Sequence, residues 1–326
     1  MTDVARLAGV SHQTVSRVLN DHPNVRPRTR LVVLAAVREL GYQPNTAARA
    51  LATGRTRSLG VITLAGTLFG PASMLYAIEA AARDEGYTVS IAGRSDGDEF
   101  TAEAVQRMQK QGVAGIVVIA PYHAAGHSLE WLARRIPLVV VEGAPVGELA
   151  VVSVDQVAGA RFATEHLLAQ GHRTVWHVAG PGTWFEATER AGGWLAALED
   201  AGAEVPPMAQ GDWSPSSGYA IGQELAGRPE VTAVFVANDQ MALGLLRALR
   251  EGGRRVPEDV SVVGFDDIPE AGYFAPPLTT IRQHFDLVGL QSVRRLIAQI
   301  ESGTAQLGRE MITPELVIRH STAAPA

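Results

Sequence analysis

From Ser58 onward the chain alternates short apolar runs with amphipathic stretches, and this rhythm restricts the fold more than any other feature. The runs Ser58–Ala65, Tyr87–Ala92, Gly115–Ala120, Pro137–Val141, Thr174–Ala179, Val231–Ala237 and Val260–Phe265 read as buried strands. Helical patterns lie between them at about 72–85, 99–111, 156–170, 188–201, 216–226, 239–251 and 285–301. Such alternation gives parallel sheets covered by helices on both faces. The strands form two groups split near Val154, so two Rossmann-like lobes are expected, and 326 residues suffice for two or three compact units.

In open parallel sheets ligands bind beyond the carboxyl ends of the strands. That rule predicts a cleft between the lobes, lined by the residues just past each strand. Asn238-Asp239-Gln240 comes after one strand, Asp266-Asp267 after another and Glu142 after a third. Arg190 stands early in the helix after Gly180-Pro181-Gly182, and Trp213 lies within Gly211-Asp212-Trp213-Ser214. Planar polar groups around an indole suit a sugar, whose hydroxyls take paired hydrogen bonds while its apolar face lies on the ring. Asn238 and Asp266 also suit helix N-caps, and Trp213 suits a core position.

The first 57 residues differ in charge from the rest. They carry nine arginines against Asp3, Asp21 and Glu39, a net +6, whereas the whole chain is −6 and the remainder therefore −12. A basic head on an acidic body is the asymmetry expected when one end meets phosphate, although a solvated charged face would share it. Asp3–Ala8 reads as a short helix with Val4 and Leu7 on one face, and Gly9 suits a positive-φ turn. Ser11 is a fitting N-cap for a second helix over about Gln13–Asn20, with Val15, Val18 and Leu19 inward. His12, Gln13, Ser16, Arg17 and Asn20 then fall on or near the other side. Arg pairs with guanine and Gln with adenine in the major groove, so these two helices read as a helix-turn-helix; the alternative is a polar surface helix. A third helix over about Pro27–Leu40 offers Leu31, Leu34, Val37 and Leu40 as an inward stripe, and Gly41 stops it. The Ala-rich segment after Pro44, capped by Asn45, buries too little to be helical alone. Its lone large apolar residue, Leu51, could wedge between base pairs in the minor groove or pack on the third helix.

Asp3-Val4-Ala5, Ala8-Gly9-Val10-Ser11 and Thr14-Val15-Ser16-Arg17-Val18-Leu19-Asn20 closely resemble the headpiece of the lac repressor family of transcriptional regulators. Tyr42-Gln43-Pro44-Asn45 and Ala48-Arg49-Ala50-Leu51 resemble its hinge. The resemblance continues through Val236–Gly244, Ser261–Asp267 and Pro276–Ile281 to about residue 320. It implies an all-α helix-turn-helix headpiece followed by a two-lobed, periplasmic-binding-protein-like α/β core. The implied domains are 1–44 for the headpiece, 45–57 for the hinge helix and linker, and 58–326 for effector binding and dimerisation. Within the last, the N-lobe takes about 58–154 and 286–313 and the C-lobe about 155–285 and 314–323.

By the same resemblance His12, Gln13 and Arg17 read bases, while Asn45, Arg49 and Leu51 enter the minor groove. Ser11, Thr14, Ser16, Asn20, Thr29, Tyr42 and Ala48 complete the expected DNA-facing set. Arg190, Asn238 and Asp266 would bond sugar hydroxyls, and Trp213 and Phe285 would pack on the ring with Gln240, Gln283 and Glu142 nearby. Leu68, Pro71 and Met74 would form an apolar wall. Ile119, Glu186 and the bulky Trp184-Phe185 depart from the family pattern, so the end of the pocket that receives an aglycone or second sugar is expected to be altered. A β-galactoside or another disaccharide is the expected ligand.

There is no cysteine, hence no disulfide or thiolate metal site, and no apolar run approaches the ~18 residues of a membrane helix. The start Met1–Arg6 lacks the order of a signal peptide, so a cytoplasmic protein is expected. Walker and His-Glu-x-x-His motifs are absent. Gly180-Pro181-Gly182 is only a fragment of a phosphate loop. His166 and His172, six apart, share no helix face. Neither an enzyme nor a resident cofactor or metal is expected. After Arg319 only seven residues remain, interrupted by Pro325, so a dimer on a pseudo-palindromic operator is expected. Release from the operator by a sugar inducer is the expected regulation. The alternatives are a member that needs a corepressor and a sugar-binding protein with no regulatory role.

Overall fold

The computed structural model describes residues 1–19, 22–42, 56–63, 68–93, 102–119, 126–143 and 149–325. Two compact units divide between Arg57 and Ser58. Asn20, Asn45, Ala48, Arg49 and Leu51, expected to face DNA, lie outside the described residues.

Among the described residues the first unit holds three helices, α1 (Thr2–Ala8), α2 (His12–Leu19) and α3 (Pro27–Glu39). Gly9 ends α1 at φ 64°, and the Ser11 hydroxyl accepts from the Thr14 N–H at 3.2 Å, a cap that contributes about 1 kcal/mol. Val4, Ala5, Ala8, Val15, Val18, Val33 and Ala36 form its core. Two expectations need correction. In α1 it is Val4, Ala5 and Ala8 that are buried, and Leu7 is exposed. In α3 the buried positions are Val33 and Ala36, whereas Leu31, Leu34 and Leu40 are exposed and Val37 is partly buried. A headpiece this small lets two short helices approach α3 closely, which favours Ala and Val at the contact over the bulkier leucines.

The second unit contains two six-stranded sheets. The first runs β1 (Ser58–Thr63), β2 (Thr88–Gly93), β3 (Gly115–Ile119), β4 (Leu138–Val141), β5 (Ala150–Val154) and β11 (Gly308–Ile312), in the order β11-β5-β4-β3-β1-β2, all parallel. The second comprises β6 (Trp176–Ala179), β7 (Ala209–Gln210), β8 (Ala233–Val236), β9 (Ser261–Asp266), β10 (Thr279–Arg282) and β12 (Glu315–Val317). Its order is β12-β10-β9-β8-β6-β7, with only β12 antiparallel. The helices that cover them are α4 (Phe69–Asp84), α5 (Ala102–Lys110), α6 (Gly126–Ala133), α7 (Gln156–Ala169), α8 (Phe185–Asp200), α9 (Pro215–Ala226), α10 (Asp239–Glu251) and α11 (Phe285–Ser302).

Alternation along the strands sorts the core. Leu59, Val61, Val117, Ile119 and Val139 meet Met74, Ile78, Val288 and Leu296 of α4 and α11 on one face of the first sheet. Ile62, Ile116, Val118 and Val140 meet Val105, Met108 and Leu132 on the other. Each such aliphatic side chain, fully buried, contributes at most about 1.5–3 kcal/mol of transfer energy. In the second sheet Val234, Val236 and Val262 face α9 and α10, and Phe235, Val263 and Phe265 face α7 and α8. Helices α9 and α10 lie so close that a Cβ on Gly244 would collide with the Pro215 carbonyl. The chain passes between lobes three times, after β5, β10 and β11, since α11 returns to the first sheet and β12 to the second. Every strand-end loop of interest therefore opens toward the same crevice.

Candidate functional site

In the headpiece His12, Gln13 and Arg17 of α2 are exposed, together with Ser11 in the preceding turn. Thr14 and Ser16 are half-buried between them. Thr29 is half-buried in the first turn of α3, and Tyr42 packs against the small core. The surface of α2 thus offers hydrogen-bonding groups and positive charge, while Val15 and Val18 hold it to α1 and α3.

The second unit carries a cavity of about 330 Å³ at its strand ends. It brings together all eleven side chains expected there: Leu68, Pro71, Met74, Glu142, Arg190, Trp213, Asn238, Gln240, Asp266, Gln283 and Phe285. The first sheet's lobe supplies Leu68, Phe69, Gly70, Pro71 and Met74 around the start of α4, with Phe285 from α11 edge-on to Phe69 at 6.0 Å. The second supplies most of the polar groups.

Those groups form one connected network. Glu142, after β4, accepts from the Val154 N–H at 2.7 Å and from Gln156 Nε2 at 3.1 Å. Gln156 Nε2 also donates to Gln283 Oε1 at 2.9 Å, and Gln156 Oε1 accepts from Arg190 Nε at 2.8 Å. Gln283 Nε2 donates to Asp266 Oδ1 at 2.6 Å, and Arg190 lies 3.9 Å from the same carboxylate while donating to the Ala237 carbonyl. The Arg190 guanidinium rests 3.8 Å over the Phe265 ring. Its planar fork is thereby held rigid, with part of its donor set turned to the cavity.

Asn238 serves two roles. Its Oδ1 caps α10 by accepting from the Met241 N–H at 2.9 Å, and its Nδ2 donates to the Trp213 carbonyl and to Gln240 Oε1. The cap and the cavity wall are one residue, because the strand-end loop leads straight into the helix. Trp213 stands edge-on to Trp184 at 5.5 Å, and its ring covers Gly180 so closely that a Cβ there would collide with it. Gly180 therefore seats an indole. Glu142, Trp213 and Asp266 take positive φ of 53°, 74° and 112°, a conformation side chains seldom adopt. Backbone strain of this kind gathers at ligand sites, where it aims side chains that the fold holds in place.

Burial governs the electrostatics. It pushes Glu142 up to about 7 against hydrogen bonds from Val154 and Gln156, and Asp266 up to about 6 against Arg190 and Gln283. Burial, then the neighbouring Glu142, raises Glu186 well above the usual carboxylate range. Asp239 is raised too, but it lies beneath the cavity, accepting from Thr280 Oγ1 and the Ile268 N–H to tie β9 and β10 to α10. His166 and His172 hold the C-terminal segment: His166 faces Thr322 at 3.0 Å and His172 the Ala323 carbonyl at 3.0 Å. Among the described residues no group of three or more His, Asp or Glu side chains is placed to hold a metal ion. No described helix is long and apolar enough to cross a membrane.

The cavity also contains Gln156, Trp184, Glu186, Asp212, Ser214 and Pro215. Gln156, the hub of the network, comes directly after Asp155 at the end of β5, a strand the apolar-run reading omits. Applying the strand-end rule to that strand would have reached it.

A helix-turn-helix head before a two-lobed parallel-sheet body with a polar, aromatic cavity at its strand ends is the build of a DNA-binding regulator that responds to a small molecule. Residues 1–45 match the family described as bacterial regulatory proteins, lacI family, and residues 164–322 match the periplasmic binding protein-like domain. The lactose operon repressor of Escherichia coli (strain K12) is 38% identical, the alignment covering 99% of this chain and 90% of that protein. The transcriptional regulator CelR of Thermobifida fusca is 36% identical, over 98% and 96%. The transcriptional repressor PurR of Haemophilus influenzae (strain PittEE) is 35% identical, over 98% and 97%. Among solved structures, a lac repressor dimer bound to operator and the anti-inducer ONPF superposes with a TM-score of 0.85 at 36% identity, over 99% and 98% of the two chains. A CelR–cellobiose complex gives 0.73 at 32%, over 98% of each. The chain belongs to the lac repressor family of transcriptional regulators, and the relatives named are regulators rather than enzymes.

Proposed function

We propose that this protein is a cytoplasmic, dimeric repressor that binds a pseudo-palindromic operator through its headpiece and leaves it when a small sugar fills the cavity. The observation that carries this reading is the convergence of Arg190, Asn238, Asp266 and Gln283 beside Trp213 and Phe285 in one cavity. Paired planar donors and acceptors against aromatic faces match a pyranose. A relative complexed with cellobiose and another crystallised with operator support the two halves of the proposal. A β-galactoside or another disaccharide is the ligand class.

Because the cavity lies between lobes, a ligand that bridges both favours their closed arrangement. It lowers operator affinity only to the extent that it binds the released state better, by about 1–3 kcal/mol of coupling per site. The test is a mobility-shift titration on the gene's own upstream DNA with a sugar panel. Release by one sugar supports the reading. Tighter operator binding with ligand would make it a corepressor-dependent member, and no preference for any promoter fragment over random DNA would sink it.

A further inference from the structure

Among the described residues that line the cavity there is a charge imbalance. Arg190 is the only cation, against the carboxyls of Glu142, Glu186, Asp212 and Asp266. The guanidinium is already engaged by the Gln156 side chain and the Ala237 carbonyl, with Asp266 alongside. Both Glu142 oxygens have protein donors, from Val154 and Gln156. Glu186 differs. It is about nine-tenths buried, 6% exposed, in the first turn of α8, and its Oε2 has no hydrogen-bond partner among the described residues. A buried carboxyl with an unmatched oxygen destabilises the protein unless another group completes its hydrogen bonding.

We infer that Glu186 contacts the ligand and makes the cavity selective for uncharged glycosides that bring a hydroxyl to its Oε2, excluding anionic ones such as sugar phosphates and uronic acids. Two facts carry this. The described lining sets a single guanidinium, Arg190, already beside Asp266, against four carboxyls, so a phosphate or carboxylate would add charge to a lining already rich in acids, and a desolvated anion without its own partner is strongly disfavoured. Glu142 and Glu186 also interact through space, so an anion placed near them would meet like charge or force both to stay protonated. A hydroxyl can donate to an ionised Glu186 or accept from a protonated one, so it fits either form.

The inference rests on the carbohydrate reading, and its test separates the two. Full-length protein is titrated calorimetrically with lactose, cellobiose, methyl β-D-galactoside and methyl β-D-glucoside, then with galactose 6-phosphate, glucose 6-phosphate and glucuronic acid. Binding of no neutral sugar would end the carbohydrate reading and this one with it. Where a neutral sugar binds, the anionic set is expected to be weaker by about 100-fold or more. Glu186→Ala should weaken the neutral sugar by about tenfold or more, and Glu186→Gln, which keeps an acceptor and the side chain's size, by much less. Melting temperatures no lower than that of the wild type in both variants exclude misfolding as the cause. An anionic sugar that binds as tightly as its neutral counterpart would overturn the inference, as would affinity in Glu186→Ala within about twofold of wild type at a melting temperature no lower than wild type.

Discussion

Arg309 on β11 and Glu189 on α8 join the two lobes in a paired ion bond of 3.0 and 2.9 Å. Arg309 Nε also donates to Ser153 Oγ at 2.9 Å, and its guanidinium lies 5.3 Å from the Phe185 ring. Both side chains are less than one-fifth exposed. Glu189 precedes Arg190 in the same helix, so the bridge anchors the helix that carries the cavity's guanidinium. Glu189→Ala leaves Arg309 without its carboxylate in a partly buried place, so a loss of about 1–3 kcal/mol is expected in chemical denaturation. Ligand affinity should change with it. Unaltered stability and unaltered ligand affinity would show the bridge to be idle.

Gly180→Ala tests whether the Trp213 ring must sit where it does. The added methyl would collide with the indole. Displacing the ring removes a stacking face without touching a hydrogen bond to the ligand. Ligand affinity should fall by about tenfold or more while operator binding without ligand is kept. Affinity equal to wild type would remove Trp213 from the site.

The cavity carboxyls give a pH signature. Glu142 has a pKa of about 7 in the folded chain against an ordinary 4.5, because burial disfavours its charge. The folded state therefore binds more protons than the unfolded state between those values, and the stability Glu142 confers at low pH is lost as pH rises from about 4.5 to about 7. Glu142→Gln lacks this loss. Relative to wild type, its melting temperature should rise on going from about pH 4.5 to about pH 8. A constant difference across that range would contradict the buried, protonated carboxyl.

In the headpiece, Arg17→Ala should relax sequence preference at one operator position, at a cost of about 1–3 kcal/mol if the guanidinium grips a guanine. A uniform weakening on all sequences, with a shallower salt dependence, would make it a phosphate contact instead.

Much of this fold is legible in the sequence because buried parallel strands are unbroken runs of Val and Ile, and helices such as Asp239–Glu251 carry clear periodicity. The strands that apolar runs do not reveal are short or polar: Ala209–Gln210, Thr279–Arg282, Gly308–Ile312 and Glu315–Val317 lie at or near sheet edges or pair late in the chain. Ala150–Val154 coincides with the point of lobe division and escapes the same reading, and Gln156 escapes with it. The phase of α3 differs from the expected one because leucines mark a core only where there is room for them, and the headpiece core is built of Val33 and Ala36. Glu186 is visible as a departure from the family pattern, but its unmatched oxygen depends on which neighbours burial brings to it.

Asp266 links these threads, since its carboxyl joins Gln283 and Arg190 in the floor of the cavity. The decisive measurement is operator binding by Asp266→Ala, with and without the sugar that releases the wild type. The variant should hold the operator with wild-type affinity and stay bound at sugar concentrations about 100-fold above those that free the wild type. A variant that the same sugar releases as readily as wild type would show that the cavity is not where the signal enters.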